Sequence, residues 1–443
     1  MKRTLALLCA AALLTTLAGC NRKTSLTGEP SETFSQNASE NSSPPAEIIE
    51  DIELQKISDL RGDLDRQIEA IRNADYKNLH ALDNFTVTLP ETDVLFELEL
   101  THPEFTWHDY YDKFDRIFDR DFGNIYSPED KERVYLAAAD EDERSSDTYA
   151  KIPLAERADK FESGELQFSW LYVRTNKAYL EMYPFGNGIF RLYRDGMIKR
   201  ANPNEEPTEV LFTDPNHYFK IVKDSLDVDS DEKYELLDKE MSVKEAAEEV
   251  KRLVVEHEYS WGGALEPEAY EYRVYDLNDG KFGLEFMLAP SYKGVMLDVN
   301  DVYSSSNIYG IPGGDRENHN YDRSPAQAFM MESGQIERFM IGESAYDVTE
   351  LAEHDSVIPL DKAVEIASEK FGEGMKLSLG RAELIYSPMY FKNGYTEEGY
   401  LHWGSNPVWK LKCANSVDAW KYIVYINAVT GEFEFYVTDG WVV

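Results

Sequence analysis

The chain is short of positive charge, of cysteine and of long apolar runs. Its 443 residues carry 45 Lys and Arg against 83 Asp and Glu, a formal charge of −38. Capture of a phosphate backbone or an anionic lipid surface needs clustered cations, so this balance argues against nucleic-acid binding. Cys9, Cys20 and Cys413 are the three cysteines, too few and too far apart in role for a disulfide framework. The most apolar run, Leu5 to Leu17, falls short of the about 20 helical residues that a bilayer core requires. Also missing are a Gly-x-Ser-x-Gly elbow, a His-Glu-x-x-His pair, a Cys-x-x-Cys pair and a phosphate-binding Gly loop, which removes the common catalytic signatures. Aromatic residues are plentiful at 13%, with 28 Tyr and 21 Phe, so the chain has the means to bury a core and is not an acidic disordered polymer. The length suits two or three domains of about 150 residues.

Lys2-Arg3, the apolar run and Leu17-Ala18-Gly19-Cys20 together read as a secretory signal over residues 1–19. Leu-Ala-Gly-Cys resembles the bacterial lipobox, which implies that Cys20 becomes the lipidated first residue of a protein anchored at the extracytoplasmic face of the cell membrane. Residues 20–47, rich in Ser, Thr, Asn, Glu and Pro, read as a disordered tether, in which Asn37-Ala38-Ser39 is an ordinary linker tripeptide. With Cys9 in the signal and Cys20 lipidated, Cys413 is the one remaining thiol, and its strand-like surroundings predict a small buried hydrophobe.

Beyond the tether the pattern predicts an α+β protein made of tandem units, each a helix packed on an antiparallel sheet. The first unit spans 48–235: Ile52, Ile57, Leu60, Leu64, Ile68 and Ile71 place a helical stripe between Glu47 and Asn73, expected to pack on its own unit, and alternation marks strands at 85–89, 94–100, 166–174, 178–183 and 188–193. Between them Trp107, Tyr110, Tyr111, Phe114 and Ile117 recur at helical spacing, a pattern more typical of core than of a ligand platform. The second unit, 236–350, opens with Ser242 and Glu245 at capping-box spacing, then Val243, Ala246, Ala247, Val250, Val254 and His257 on one helix face, then strands at 270–275, 282–289, 295–299, 328–331 and 336–341. The third, 355–443, opens at Pro359 with Leu360, Ala363, Val364, Ala367 and Phe371 at helical spacing, followed by strands at 381–386, 408–413, 421–427 and 432–437. Val243-Lys-Glu-Ala-Ala overlays Leu360-Asp-Lys-Ala-Val, a match too short to prove duplication.

The run Pro359 to Ala367, then Trp409, then Tyr422 to Glu432 resembles the PepSY-type module of bacterial extracytoplasmic proteins in the order of its helix opening, strand Trp and final hairpin. The chain departs from that pattern at Asn427, where the family usually carries Asp, and in an insert from Met389 to Asn406. The whole chain also looks like lipoproteins of domain-of-unknown-function families and, more distantly, like the paired modules of accessory proteins that restrain a cell-wall sensor kinase. The resemblance implies binding or regulation outside the membrane, towards an envelope protein, with no catalytic residue and no cofactor to carry over.

Local chemistry adds few candidates. Asp227, Asp229 and Asp231 alternate as hard oxygen ligands and Asp238 stands at the twelfth position of a calcium loop, but Glu232 occupies the place where a sharp turn calls for Gly. The competing reading is a solvated acidic linker. His102 and His108 are the nearest histidine pair, without evident further ligands. The Gly- and Asn-rich loop from Ser304 to Ser324, with Asn318, His319, Asn320 and Tyr321, is long enough to line a polar pocket. The sequence therefore predicts a membrane-anchored, non-catalytic binding lipoprotein; a secreted hydrolase or glycan-capture lipoprotein, using Tyr- and Trp-rich surfaces, is the competing reading.

Overall fold

The computed structural model describes residues 52–101, 107–122, 135–137, 170–174, 178–182, 190–203, 214–259, 263–299, 307–309, 326–341, 347–371, 376–387, 402–415 and 421–439, with Asp159 and Ser163. The signal, Cys20, the tether, His102, residues 310–325 of the Asn-rich loop and residues 388–401 of the insert lie outside the described residues.

In chain order, β1 (Gln55–Lys56) runs into α1 (Ile57–Asn73), followed by β2 (Leu79–Thr88) and β3 (Leu95–Thr101). Then come α2 (Trp107–Phe122), β4 (Tyr135–Ala137), β5 (Trp170–Arg174), β6 (Ala178–Met182), β7 (Phe190–Arg194) and the short α3 (Gly196–Ala201). The middle of the chain holds β8 (Lys220–Ser225), β9 (Lys233–Glu235), β10 (Glu240–Ser242), α4 (Val243–Glu256), β11 (Glu266–Asp276), β12 (Phe282–Tyr292), β13 (Val295–Met296), β14 (Asn307–Tyr309), β15 (Ala326–Met330) and β16 (Arg338–Ile341). Last are β17 (Asp347–His354), β18 (Ser356–Val357), α5 (Leu360–Lys370), β19 (Leu377–Tyr386), β20 (His402–Ser405), β21 (Pro407–Asn415), β22 (Lys421–Asn427) and β23 (Phe433–Asp439).

The protein is a mixed α and β structure dominated by antiparallel sheet. Ten strands form the largest sheet in the order β4-β5-β6-β7-β16-β15-β12-β11-β8, with β13 added on β12. A six-stranded sheet runs β14-β23-β22-β21-β19-β2 and a three-stranded one β17-β3-β20. Among the described residues, the one parallel ladder joins β2 to β19.

Sheet pairing crosses each boundary that the sequence suggests. β7 pairs with β16 through Tyr193 and Arg338, and β8 pairs with β11, so residues on both sides of 235 share one sheet. β2 lies on the edge of the six-stranded sheet, and α1 packs both on β2, within its own unit, and against α5, which ties the first unit to the C-terminal part of the chain. The helix also starts later than the apolar stripe predicts, at Ile57, because Gln55 and Lys56 are extended by pairing with Val357 and Ser356.

The helices form for reasons readable in their sequences. In α4 the Ser242 hydroxyl accepts from the Glu245 N–H at 3.2 Å while the Glu245 carboxylate accepts from the Ser242 N–H at 2.9 Å, a complete capping box. Its face of Val243, Ala246, Ala247, Val250, Leu253 and Val254 is buried on β11 and β12. Pro359 precedes α5 and supplies no side-chain cap. The amide of Leu360 instead donates to Oε1 of Gln67 on α1 at 3.1 Å, so a buried glutamine of one helix caps the next. Behind α5, Trp409 is fully buried and donates its indole N–H to the carbonyl of Ile358 at 3.1 Å. The apolar cores of α1, α4, α5 and the sheets are continuous from Ile57 to Ala428.

The last hairpin turns through Ala428 to Gly431, where Gly431 sits at φ +75° with Ile52 so close that a Cβ would meet its Cδ1 at 2.7 Å. Asn427 organises this turn: its Oδ1 accepts from the amides of Val429 and Thr430, both at 2.9 Å, and its Nδ2 donates to Glu434 Oε1 at 3.1 Å. Asn406 donates to the same oxygen, and burial pushes the Glu434 carboxyl above its usual range. Asn suits this position, since Asp at 427 would face Glu434 carboxylate to carboxylate. Asn427→Asp is expected to lower unfolding free energy at pH 7 by about 1–2 kcal/mol and by less at pH 4.5, where one acid regains its proton, as read from urea denaturation at the two pH values.

Candidate functional site

One face of the six-stranded sheet is covered by α1 and α5; the other carries charge. Alternation along the strands decides which residues go where. Ala382, Leu384, Trp409, Leu411 and Val424 enter the core, while Glu383, Ile385, Lys410, Lys412 and Tyr425 point the opposite way. Most of these outward residues are nonetheless buried, Lys410 to 3% and Glu383 to 4% exposure, while Lys412 is half-buried. The cover is the segment after β13, the strand that follows β12 through a two-residue turn with Lys293 at φ 50° and Gly294 at φ 78°. Leu297 forms a parallel bridge with Tyr386, and the Asp298 N–H donates to the Tyr386 carbonyl at 2.9 Å.

Asp298 therefore arrives over the charged face with its carboxylate inward. Lys410 Nζ donates to Oδ1, and Tyr425 Oη donates to Oδ2 at 2.5 Å. Beside it, Arg381 Nη2 pairs with Glu383 Oε1 at 2.7 Å and Lys412 Nζ with Oε2 at 3.4 Å. In register, Glu383 stands opposite Lys410 and Arg381 opposite Lys412 across β19 and β21. Among the described residues, three cations and two carboxylates converge here in a chain whose overall charge is −38. Taking such groups out of water costs several kcal/mol per ion, which only close pairing offsets.

A small cavity sits at this joint, bounded by Tyr270, Ala289 and Met296 on the large sheet and by Glu383, Ile385 and Lys410 on the six-stranded one. Its volume of about 20 Å³ accommodates roughly one water and lies far below the about 300 Å³ at which small-molecule sites begin.

The large sheet carries a comparable buried pair. Arg338 Nη1 donates to Glu285 Oε1 and Tyr275 Oη to Glu285 Oε2, both at 2.7 Å, while Arg338 Nη2 donates to Gln327. Burial raises the Glu285 carboxyl against the opposing pull of Arg338, and it raises the Tyr275 hydroxyl further with help from Glu285. Arg273 faces Glu285 across β11 and β12, an opposite-charge cross-strand pair like that of Glu383 and Lys410.

A third cluster ties α2 to the end of α4. Asp121, its side chain 3% exposed, accepts from Tyr259 Oη at 2.7 Å, Arg120 Nη2 at 2.8 Å and Arg194 Nη2 at 3.2 Å, with His257 Nδ1 also at 3.2 Å. Burial alone would raise this carboxyl, but the hydrogen bonds from His257, Arg120 and Tyr259 and the Arg194 charge outweigh it and hold it well below the carboxylate range. With every oxygen so engaged, Asp121 is built to hold and not to accept a proton from a substrate. His257, expected on the apolar face of α4, is its C-cap and serves this cluster instead.

The sequence-predicted sites fare differently. Cys413 is buried at 4% exposure and burial pushes its thiol up to about 12, far from the thiolate a nucleophile needs. It is expected to resist a maleimide reagent at pH 7.5 in the native protein and to react within minutes in 6 M guanidinium, checked by mass spectrometry. The calcium candidates are not brought together: Asp238 binds the amide and hydroxyl of Ser333, and Asp229 pairs with Lys244 at 3.4 Å. His108 lies 3.1 Å from Asp159. Among the described residues no group of three or more His, Cys, Asp or Glu is placed to hold a metal ion, and no helix is long and apolar enough to cross a membrane. Of the Asn-rich loop, β14 is described, paired with β23.

Asp298, Glu383, Lys410 and Asp121 escape sequence reasoning. The one available signal is Lys410-Leu411-Lys412 alternating in a strand, which reads as a solvated face until another segment is seen to cover it. Set against models of known protein families and against curated proteins, the chain matches none.

Proposed function

We propose that the protein is a bacterial envelope lipoprotein, held at the extracytoplasmic face of the membrane by lipid on Cys20, whose work is non-catalytic binding of an envelope protein. In this reading α4 with β11, β12, β15 and β16, and α5 with β19, β21, β22 and β23, are tandem helix-on-sheet units, the second PepSY-like. Support for the tandem comes from the matching order of helix and four-stranded meander and from the opposite-charge pair between the first two strands of each. The observation that carries the binding role is the joint itself: its charges are spent on one another around a cavity of about 20 Å³, an arrangement that positions a sheet face and offers no room for a sugar ring.

Two experiments test this. Labelling of growing cells with an alkyne-bearing fatty acid is expected to mark the wild-type chain and not Cys20→Ala; equal labelling, or complete membrane retention of Cys20→Ala, defeats the anchor. Capture from detergent-solubilised membranes with the intact mature chain is expected to retain one envelope protein in near-stoichiometric amount. Retention of none, together with binding to a glycan array, would favour the glycan-capture reading. Intact chain is required as bait because truncation at 354 removes β19, the partner of β2, and α5, the partner of α1.

A further inference from the structure

Glu337, the residue before β16, is an acid buried to 3% exposure. Its backbone is fixed on both sides: the N–H donates to the Phe329 carbonyl at 2.8 Å and the carbonyl accepts from the Arg194 N–H at 2.9 Å. Its carboxyl is held on one side only. Oε1 accepts from the Gln335 amide, while Oε2 is buried without a hydrogen-bond partner. What Oε2 meets instead is the start of α3, where a Cβ on Gly196 would lie 2.4 Å from it, so glycine is what lets the carboxyl and the helix close on each other. The charged groups around it do not make up for the missing partner. Arg194 on β7 attracts the carboxyl, but its Nε donates to the Ile336 carbonyl and its two terminal nitrogens to Asp121. Asp195, between β7 and α3, and Glu332, between β15 and β16, add like charge. Lys199 of α3 pairs with Asp195 at 2.6 Å, and Arg338, the next residue along, serves Glu285.

We infer that Glu337 is a proton-operated latch: as the neutral acid it lets α3 close on the large sheet, and as the anion it releases α3. A carboxylate with one oxygen out of reach of any donor is costly to bury, and the fold avoids that cost either by keeping the proton or by opening so that water reaches Oε2. The side that gives is α3, which has six residues and buries two of them, Met197 and Ile198, whereas β16 is paired on both edges, to β7 and β15. Met197 packs with Phe219, Tyr275 and Phe329, so release bares an apolar cluster. In the closed state burial raises the carboxyl above its usual range, with help from Glu332 and Asp195 and against Gln335 and Arg194. In the open state it returns to the ordinary glutamate value of about 4.3. The open fraction is therefore least below that value and grows as pH rises, up to about tenfold per pH unit, until the closed form also ionises. This is the opposite direction to Asp121, whose contribution is lost as pH falls. The latch does not depend on the proposed binding role.

The test is hydrogen exchange of the intact mature chain between pH 5 and 8, read by mass spectrometry on peptides containing Gly196 to Asn202 and corrected for the intrinsic dependence of exchange on pH. The amides that report are Lys199, bonded to the Asp195 carbonyl at 2.9 Å, and Asn202, bonded to the Ile198 carbonyl at 2.8 Å, with peptides from α4 as the reference. In wild type the protection of α3 is expected to fall by at least about tenfold from pH 5 to 8, and in Glu337→Gln to stay within about threefold, while α4 holds its protection in both. Should Glu337→Gln fail to fold by circular dichroism, because its amide brings buried donors of its own, Glu337→Met is expected to give the same flat profile. The latch is overturned if wild-type α3 is protected equally at all pH values, as a water bridging Oε2 would produce, or if the neutral variants lose protection as steeply as wild type. Loss of protection in α4 together with α3 also overturns it, since the loosening would then belong to the whole fold.

Discussion

Lys410→Met is expected to destabilise the intact chain by about 3–5 kcal/mol in urea denaturation, the cost of taking the Lys410 charge away from the buried Asp298 carboxylate. Both partners are removed from solvent, with side chains 3% and 1% exposed, so water does not step in to compensate. Tyr425 remains hydrogen-bonded to Asp298 and, as a neutral donor, does not replace that charge. Pairing Lys410→Met with Asp298→Asn is expected to return most of the loss, because two neutral groups of similar size need no mutual charge; a coupling of at least about 2 kcal/mol in the double-mutant cycle is the signature. A loss below about 1 kcal/mol for Lys410→Met would mean that the pair is hydrated in solution and that the segment after β13 does not seal the joint.

Asp121→Asn should show a loss of similar size, about 2–4 kcal/mol at pH 7, with a dependence on pH that the first variant does not share. The substitution keeps the shape but replaces an acceptor of four donors by a group with one acceptor oxygen and an NH2 that confronts Arg120 or Arg194. Because the folded-state pKa of Asp121 is depressed, its contribution is fully present above the unfolded value of about 3.9 and is lost as pH falls towards the folded one. The gap in unfolding free energy between wild type and Asp121→Asn is therefore expected to be constant from pH 8 to 5 and to narrow between pH 4 and 2.5. A gap unchanged down to pH 2.5 would show that shape, and not the carboxylate charge, holds α2 to the end of α4.

The two clusters explain why so much of the candidate site lay beyond sequence reading. Residues such as Asp298 and Lys410 are 112 positions apart, and Asp121 and Tyr259 are 138 apart. No period or motif links them; each looks like one charge among many in a chain with 128 charged residues of both signs. Their pairing depends on which segment covers which sheet face, and alternation in a strand says only that two faces differ, never what lies against the second. The acidic run of the calcium spacing shows the reverse: residues close in sequence are drawn to separate partners, Asp238 to Ser333 and Asp229 to Lys244.

Local physics was legible where it is decided locally. The capping box at Ser242, the helical stripe of α5, the left-handed turn at Gly431 and the period-2 strands of the last hairpin follow from bonds and sterics within a few residues, and they stand where the sequence placed them. The burial of Cys413 follows from its strand in the same way. The strand β17 escaped because Asp347 to His354 is acidic and half exposed, with pairing to β3 in place of apolar alternation to mark it. The extent of each sheet was decided only in three dimensions, since hydrogen-bonding edges accept any strand that packing delivers. So it was packing that joined β8 to β11, seated β2 in parallel on β19, and turned a row of lysines from a solvated face into the lining of a buried joint.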